Sequence, residues 1–157
     1  MNLQWQCKYF DELSPYQLYA LLRLRSEVFV VEQNCIFLDM DDNDAESFHL
    51  SGYAGNRLVA YTRIVPPGLI YSQASIGRVV TSPLVRRTGA GRLLMEQSLF
   101  TIHNLYGSVP IKIGAQLYLK AFYQSFGFVQ IGEGYLEDGI PHINMLKEPG
   151  DKHAMEK

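Results

Sequence analysis

Cysteine is scarce in this chain. Its two thiols, Cys7 and Cys35, cannot form a disulfide framework and lack the spacing of a metal site. No run of 18 apolar residues occurs, so no membrane-spanning helix is expected. Residues 1–10 lack the basic start and apolar run of a secretory leader. An excess of one charge sign is also missing: 14 Lys and Arg stand against 16 Asp and Glu, giving a net charge of -2. No broad positive field exists to draw nucleic acid or an anionic membrane. There is no internal repeat and no low-complexity segment. These absences predict a cytoplasmic protein with no nucleic-acid partner, no membrane partner and no metal.

What is present is an ordinary globular composition, 47% hydrophobic and 19% charged over 157 residues. One domain over residues 1–157 is expected, with a core at about 13–147 and a fraying tail at 148–157. Ser14, Pro15 and Gln17 form a helix start with a capping box. Leu18, Leu21, Leu22, Val28 and Phe29 continue with helical spacing, Arg25 falls on the same side, and a break is expected near 25–32. Residues 34–47 read as an acidic loop. Strands are predicted at 48–54, 58–64 and 74–81, with a Gly55-Asn56 turn between the first two. A helix follows at 89–106, then a strand at 111–115 and a helix at 117–126 that Gly127 ends. Closing strands at 128–131 and 140–147 flank the turn Glu137-Asp138-Gly139. This order predicts an α+β fold. Its central mixed sheet would be antiparallel at first, parallel where helices cross over, and flanked by helices.

The chemistry is carried by the stretch from Val79 to Leu94. A buried strand runs into a basic, glycine-spaced turn that opens a helix. Helix N-termini offer unpaired N–H groups and partial positive charge, which suit a pyrophosphate. Gly89 and Gly91 let the backbone come close to the oxygens. Arg86, Arg87 and Arg92 add charge beside Thr88 and Ala90. A P-loop fails because Arg92 and Leu93 follow Gly91 where Lys and Ser or Thr are needed. A dinucleotide fingerprint fails at Leu94, where a small residue is required.

Arg86-x-x-Gly89-x-Gly91 after a strand resembles the pyrophosphate motif of the GCN5-related N-acetyltransferases. Pro83, Leu93-Leu94 and the helix Ala121-Phe122-Tyr123-Gln124-Ser125-Phe126-Gly127-Phe128 stand in family-typical places. Val28-Phe29-Val30-Val31-Glu32-Gln33-Asn34-Cys35, Ile76-Gly77-Arg78-Val79, Gly114-Ala115-Gln116 and Glu137-Asp138-Gly139-Ile140-Pro141-His142-Ile143 narrow the resemblance to the ElaA-type branch. The resemblance implies the acyl-CoA N-acyltransferase fold. It also implies an acetyl-CoA co-substrate and direct transfer of the acetyl group to an amine of a small molecule or peptide. A homodimer is common for that fold. Val79, Val80 and Thr81 would pair with the pantetheine arm, and residues 86–92 with Phe122 would complete cofactor binding. The Val80 N–H would polarise the thioester carbonyl, and Tyr123 would protonate the departing thiolate. Glu32, His142 or a water chain would deprotonate the amine. Arg25, Arg78 and Gln116 are candidates for the acceptor site.

Other readings compete. Taken alone, Tyr123 on an apolar helical stripe reads as a core tyrosine, and His49, His142 and Glu32 read as satisfied structural groups. Arg78 suits either an ion pair or the acceptor cleft. The run Asp39-Met40-Asp41-Asp42-Asn43-Asp44 is not a calcium loop, because Asp44 stands at the glycine position and Leu50 at the bidentate glutamate position. A solvated loop, able to attract a cationic acceptor, is expected there. Arg25, Phe29, Asp41 and Asp44 also fit an acyl-homoserine-lactone-synthase-like acyltransferase. A non-catalytic module that binds acyl-CoA is a further alternative.

Overall fold

The computed structural model describes residues 2–150. Of the tail expected at 148–157, residues 151–157 lie outside the described residues. The chain opens with a strand the sequence reading left unassigned, β1 (Gln4–Tyr9), ahead of the core expected from residue 13. The helix α1 (Pro15–Arg25) follows. Ser14 Oγ accepts from the Gln17 N–H at 3.1 Å while Gln17 Oε1 accepts from the Ser14 N–H at 2.9 Å, so the capping box is complete.

The expected break after α1 is a change of winding instead. Residues Ser26–Glu32 form a π-helical stretch, closed by bonds from Gln33 N–H to Val28 O and from Cys35 N–H to Val30 O. Such wide turns are rare and often lie at functional sites.

Strands β2 (Phe48–Ala54), β3 (Arg57–Val65) and β4 (Ser75–Thr81) make an antiparallel sheet in the order β1-β2-β3-β4. The helix α2 (Ala90–Tyr106) crosses to β5 (Ile111–Gln116), and the short helix α3 (Lys120–Gln124) leads to a hairpin of β6 (Val129–Glu137) and β7 (Ile140–Lys147). These form a second antiparallel sheet in the order β5-β7-β6. The expected mixed pairing is present but minimal. One parallel bridge, Ala74 to Ile111, joins the two sheets, with Lys112 N–H donating to Ala74 O at 2.9 Å. Beyond that bridge no pairing joins β4 to β5 among the described residues, and a cleft lies between them.

Strand alternation decides which helix covers which face. Ala60 and Ile64 meet Leu94, Met95, Leu99 and Ile102 of α2, in a core that continues to Ile111, Ile113, Phe128 and Met145. Tyr61 and Val80 turn the other way, onto Leu21 and Leu24 of α1 and Val28 beyond it. Each fully buried aliphatic side chain contributes roughly 1.5–3 kcal/mol. On the outer edge, the lone Trp5 of β1 lies over Gly52, where an added Cβ would stand 2.6 Å from the indole.

Candidate functional site

The cleft between β4 and β5 is a cavity of about 580 Å³. Its walls come from the π-helical stretch (Val28, Phe29, Glu32), from β4 (Gly77, Arg78, Val79, Thr81) and from β5 (Ile113, Gly114, Ala115, Gln116). Tyr123 of α3 and the turn of the β6–β7 hairpin, with Glu137, Asp138 and His142, complete it.

Strand β4 is irregular where it lines the cleft. Its register against β3 shifts between Tyr61 and Arg63, and Arg78 sits at φ 50°. The register corrects one expectation. Ser82 N–H donates to Val59 O at 2.7 Å, with Thr81 facing Ala60 and Val80 facing Tyr61. Hydrogen-bonded and non-bonded pairs alternate in an antiparallel ladder. The Val80 N–H therefore turns toward Tyr61 and that of Thr81 toward the open edge, while Val79 lies where the register shifts. The side chain of Val80 is buried with α1 and does not line the cavity.

Tyr123 is 6% exposed, yet it lines the cavity. Its hydroxyl makes no hydrogen bond to a described residue. Burial, and then the nearby Tyr118, push its ionisation well above the ordinary tyrosine value, so it stays protonated. Phe122, expected at the cofactor, stands edge-on to Tyr123 and Phe126 and lies outside the cavity lining.

Of the basic turn, only Arg86 reaches the cavity lining. Arg87 is exposed at φ 63°, and Thr88 Oγ1 donates to Val85 O. Gly89 caps α2 at φ 87°, a conformation that favours glycine. Gly91 has an ordinary φ, and a Cβ there would meet nothing within 4 Å. The fold therefore does not demand glycine at 91, whereas a ligand lying on the N-terminal N–H groups of α2 would. Ala90 is buried beneath the turn with Val59 and Val85. Arg92 stacks on the Phe126 ring at 4.5 Å and donates to Ser125 Oγ at 3.1 Å.

Two candidate bases differ in their surroundings. Glu32 forms a bidentate ion pair with Arg86, which holds its carboxyl below the usual range. His142 lies on Tyr135 with ring centroids 5.8 Å apart, and its Nδ1 is 2.7 Å from Ile140 O. Its Nε2 is 3.5 Å from Glu137 Oε2.

The acidic loop is not solvated as expected. Asp39 and Asp44 are buried, and Arg25, fully buried, donates to both at 2.7 Å. Arg63 donates to Asp41 at 2.7 and 2.8 Å and to Asp44 at 3.0 Å. Burial alone would raise the Asp41 and Asp44 carboxyls, but the arginine hydrogen bonds and charges outweigh it and hold both below the ordinary range. Arg25 thus stands behind the cavity rather than in it. Arg78 does both things considered for it, pairing with Asp39 and lining the cleft. Gln116 lines the cleft beside Gln33, 3.4 Å away. The sequence reading missed Phe37 and Asp138 in the wall. It also missed Gly114, where a Cβ would come within 2.9 Å of Tyr135 Oη. Among the described residues no group of His, Cys, Asp or Glu is arranged to hold a metal, and no helix is long and apolar enough to cross a membrane.

Residues 27–149 match the family model described as acetyltransferase (GNAT) domain. Protein ElaA of Escherichia coli is 45% identical over 148 residues, covering 93% of this chain and 97% of that protein. The crystal structure of an acyl-CoA N-acyltransferase from Pseudomonas aeruginosa superposes with a TM-score of 0.89 at 42% identity, covering 93% of this chain and 99% of that one. The Escherichia coli ElaA crystal structure gives 0.87 at 44% identity, with 94% and 100% covered.

Proposed function

The chain belongs to the GNAT acetyltransferase family, and from that premise we propose that it is an acetyl-CoA-dependent N-acetyltransferase acting on an amine while both substrates are bound. The observation that carries this reading is the unbonded Tyr123 hydroxyl inside a cleft that the open edge of β4 lines.

The bound thioester supplies the electrophilic carbonyl. The N-terminal N–H groups of α2, with Arg86 and Arg87, would hold its pyrophosphate, and the open space at Gly91 fits that role. The N–H groups of Val79 and Thr81 would pair with the pantetheine arm, and one of them would stabilise the oxyanion. The amine nitrogen attacks the carbonyl carbon and the C–S bond breaks. Tyr123 Oη then gives its proton to the sulfur and regains one from solvent. His142 Nδ1–H would donate to Ile140 O, leaving the Nε2 lone pair to take the proton lost by the amine, with Glu137 Oε2 3.5 Å away to balance the charge. Glu32 is less suited as the base, since Arg86 already neutralises it.

Of the four residues behind the acyl-homoserine-lactone alternative, only Phe29 lines the cavity. Arg25, Asp41 and Asp44 are engaged with one another or with Arg63.

Calorimetric titration with acetyl-CoA tests the reading, on the wild type and on Gly91→Glu. Binding by the wild type that is lost in a folded variant is the expected result. A folded wild type that does not bind defeats the proposal. Loss of turnover in Tyr123→Phe, read as CoA release with a panel of amines, separates an enzyme from a module that only binds acyl-CoA.

A further inference from the structure

Arg86 is already engaged. Its Nη2 lies 2.6 Å from Glu32 Oε1, and its Nη1 donates to Glu32 Oε2. The partners come from distant parts of the chain. Glu32 ends the π-helical stretch, and Arg86 follows the 3-10 turn Pro83–Val85 that leads toward α2. Both residues line the cavity. Their side chains are 38% and 40% exposed, so the pair can part without disturbing the core.

A guanidinium fork fits one carboxylate or one phosphate in bidentate fashion, and not both together. Arg86 is also the one arginine of the basic turn that faces the cleft, since Arg92 is held by Phe126 and Ser125. We propose that Glu32 is a built-in competitor for Arg86. The pyrophosphate of the acyl carrier displaces it, and the freed carboxylate remains in the cavity wall. This rests on the acyl-CoA reading above.

Two consequences follow from charge alone. A diphosphate brings more negative charge to the fork than one carboxylate, so Glu32 disfavours a carrier without one more strongly than a diphosphate-bearing carrier. Once displaced, Glu32 joins Glu137 and Asp138 without its counter-ion, so loading makes the cleft more negative. A cationic amine is then favoured as the second ligand.

The test is a double-variant cycle read by calorimetric titration with acetyl-CoA. The proteins are wild type, Glu32→Gln, Arg86→Ala and the two changes together, each checked for folding by circular dichroism. Glu32→Gln is expected to tighten acetyl-CoA binding about two- to fivefold, the scale of one exposed ion pair. The same change in the Arg86→Ala background is expected to do nothing, because Glu32 acts through Arg86. A Glu32→Gln variant that binds no tighter than wild type overturns the exchange and leaves the acyl-CoA reading standing. Equal tightening in both backgrounds also overturns it, since that reports general repulsion. A folded wild type that fails to bind overturns the acyl-CoA reading and the exchange together.

Discussion

Arg78 grips Asp39 twice, through Nε to Oδ1 at 2.8 Å and through Nη2 to the main-chain carbonyl at 2.6 Å. The bulged part of β4 is thereby tied to the loop that contributes Phe37 to the cleft wall. Asp39 also takes Arg25 Nε on its other oxygen at 2.7 Å, so one buried carboxylate joins α1, the loop and the cleft wall. Asp39→Ala would leave Arg25 buried with part of its charge unmatched. We expect a loss of about 3–5 kcal/mol in urea unfolding. Asp39→Asn, which keeps the shape and one acceptor, should lose less.

Tyr123→Phe removes the proposed proton donor and little else, because the hydroxyl has no partner among the described residues. Turnover is expected to fall by at least about a hundredfold. Acetyl-CoA binding and the unfolding midpoint should stay within error of wild type. Burial holds the Tyr123 ionisation high, so the pH–rate profile should show no loss from this residue up to about pH 10.

The two glycines of the turn should separate fold from ligand. Gly89→Ala places a Cβ at φ 87° and is expected to cost about 1–2 kcal/mol of stability. Gly91→Ala has an ordinary φ and open space, so its stability should match or exceed that of wild type. Its acetyl-CoA affinity should nevertheless drop. Thermal melts and titrations of both variants check this.

Stability should fall with acid in two stages. Burial lowers the His49 pKa, so below about pH 6.5 the unfolded chain takes a proton that the folded one refuses. The folded state therefore loses ground as pH drops through that range. Asp41 and Asp44 have depressed values when folded, so their contribution is complete above about pH 4 and drains below it. Urea midpoints measured against pH should show both stages. His49→Gln should remove the upper one and leave the lower.

Local patterns were legible and distant partnerships were not. The cap at Ser14 and Gln17, the apolar stripe of α2 and the glycine-spaced turn before it are written in neighbouring residues. The family resemblance was legible for the same reason, because its motifs are short and contiguous. Strand β1 was missed although Trp5, Cys7 and Tyr9 alternate with Gln4, Gln6 and Lys8. β6 runs on to Glu137, well past the expected residue 131, across a register shift at Gly132-Glu133-Gly134 that hides its period. The aspartates of the loop looked solvent-bound because their arginines stand 14 to 39 residues away. Nothing local in the sequence announces such pairs. The Val80 assignment failed on register, which a single strand does not specify.

The position of Trp5 makes the molecule spectroscopically lopsided. Its one indole sits on the edge strand over Gly52, half-buried against the main core and absent from the cleft lining. Tryptophan emission therefore reports whether the first strand is docked and is nearly blind to what enters the cleft. Tyr123, which lines the cleft, is the kind of chromophore that would respond to the proposed ligand. A side chain at residue 52 would evict the indole and switch the first signal off while leaving the second intact.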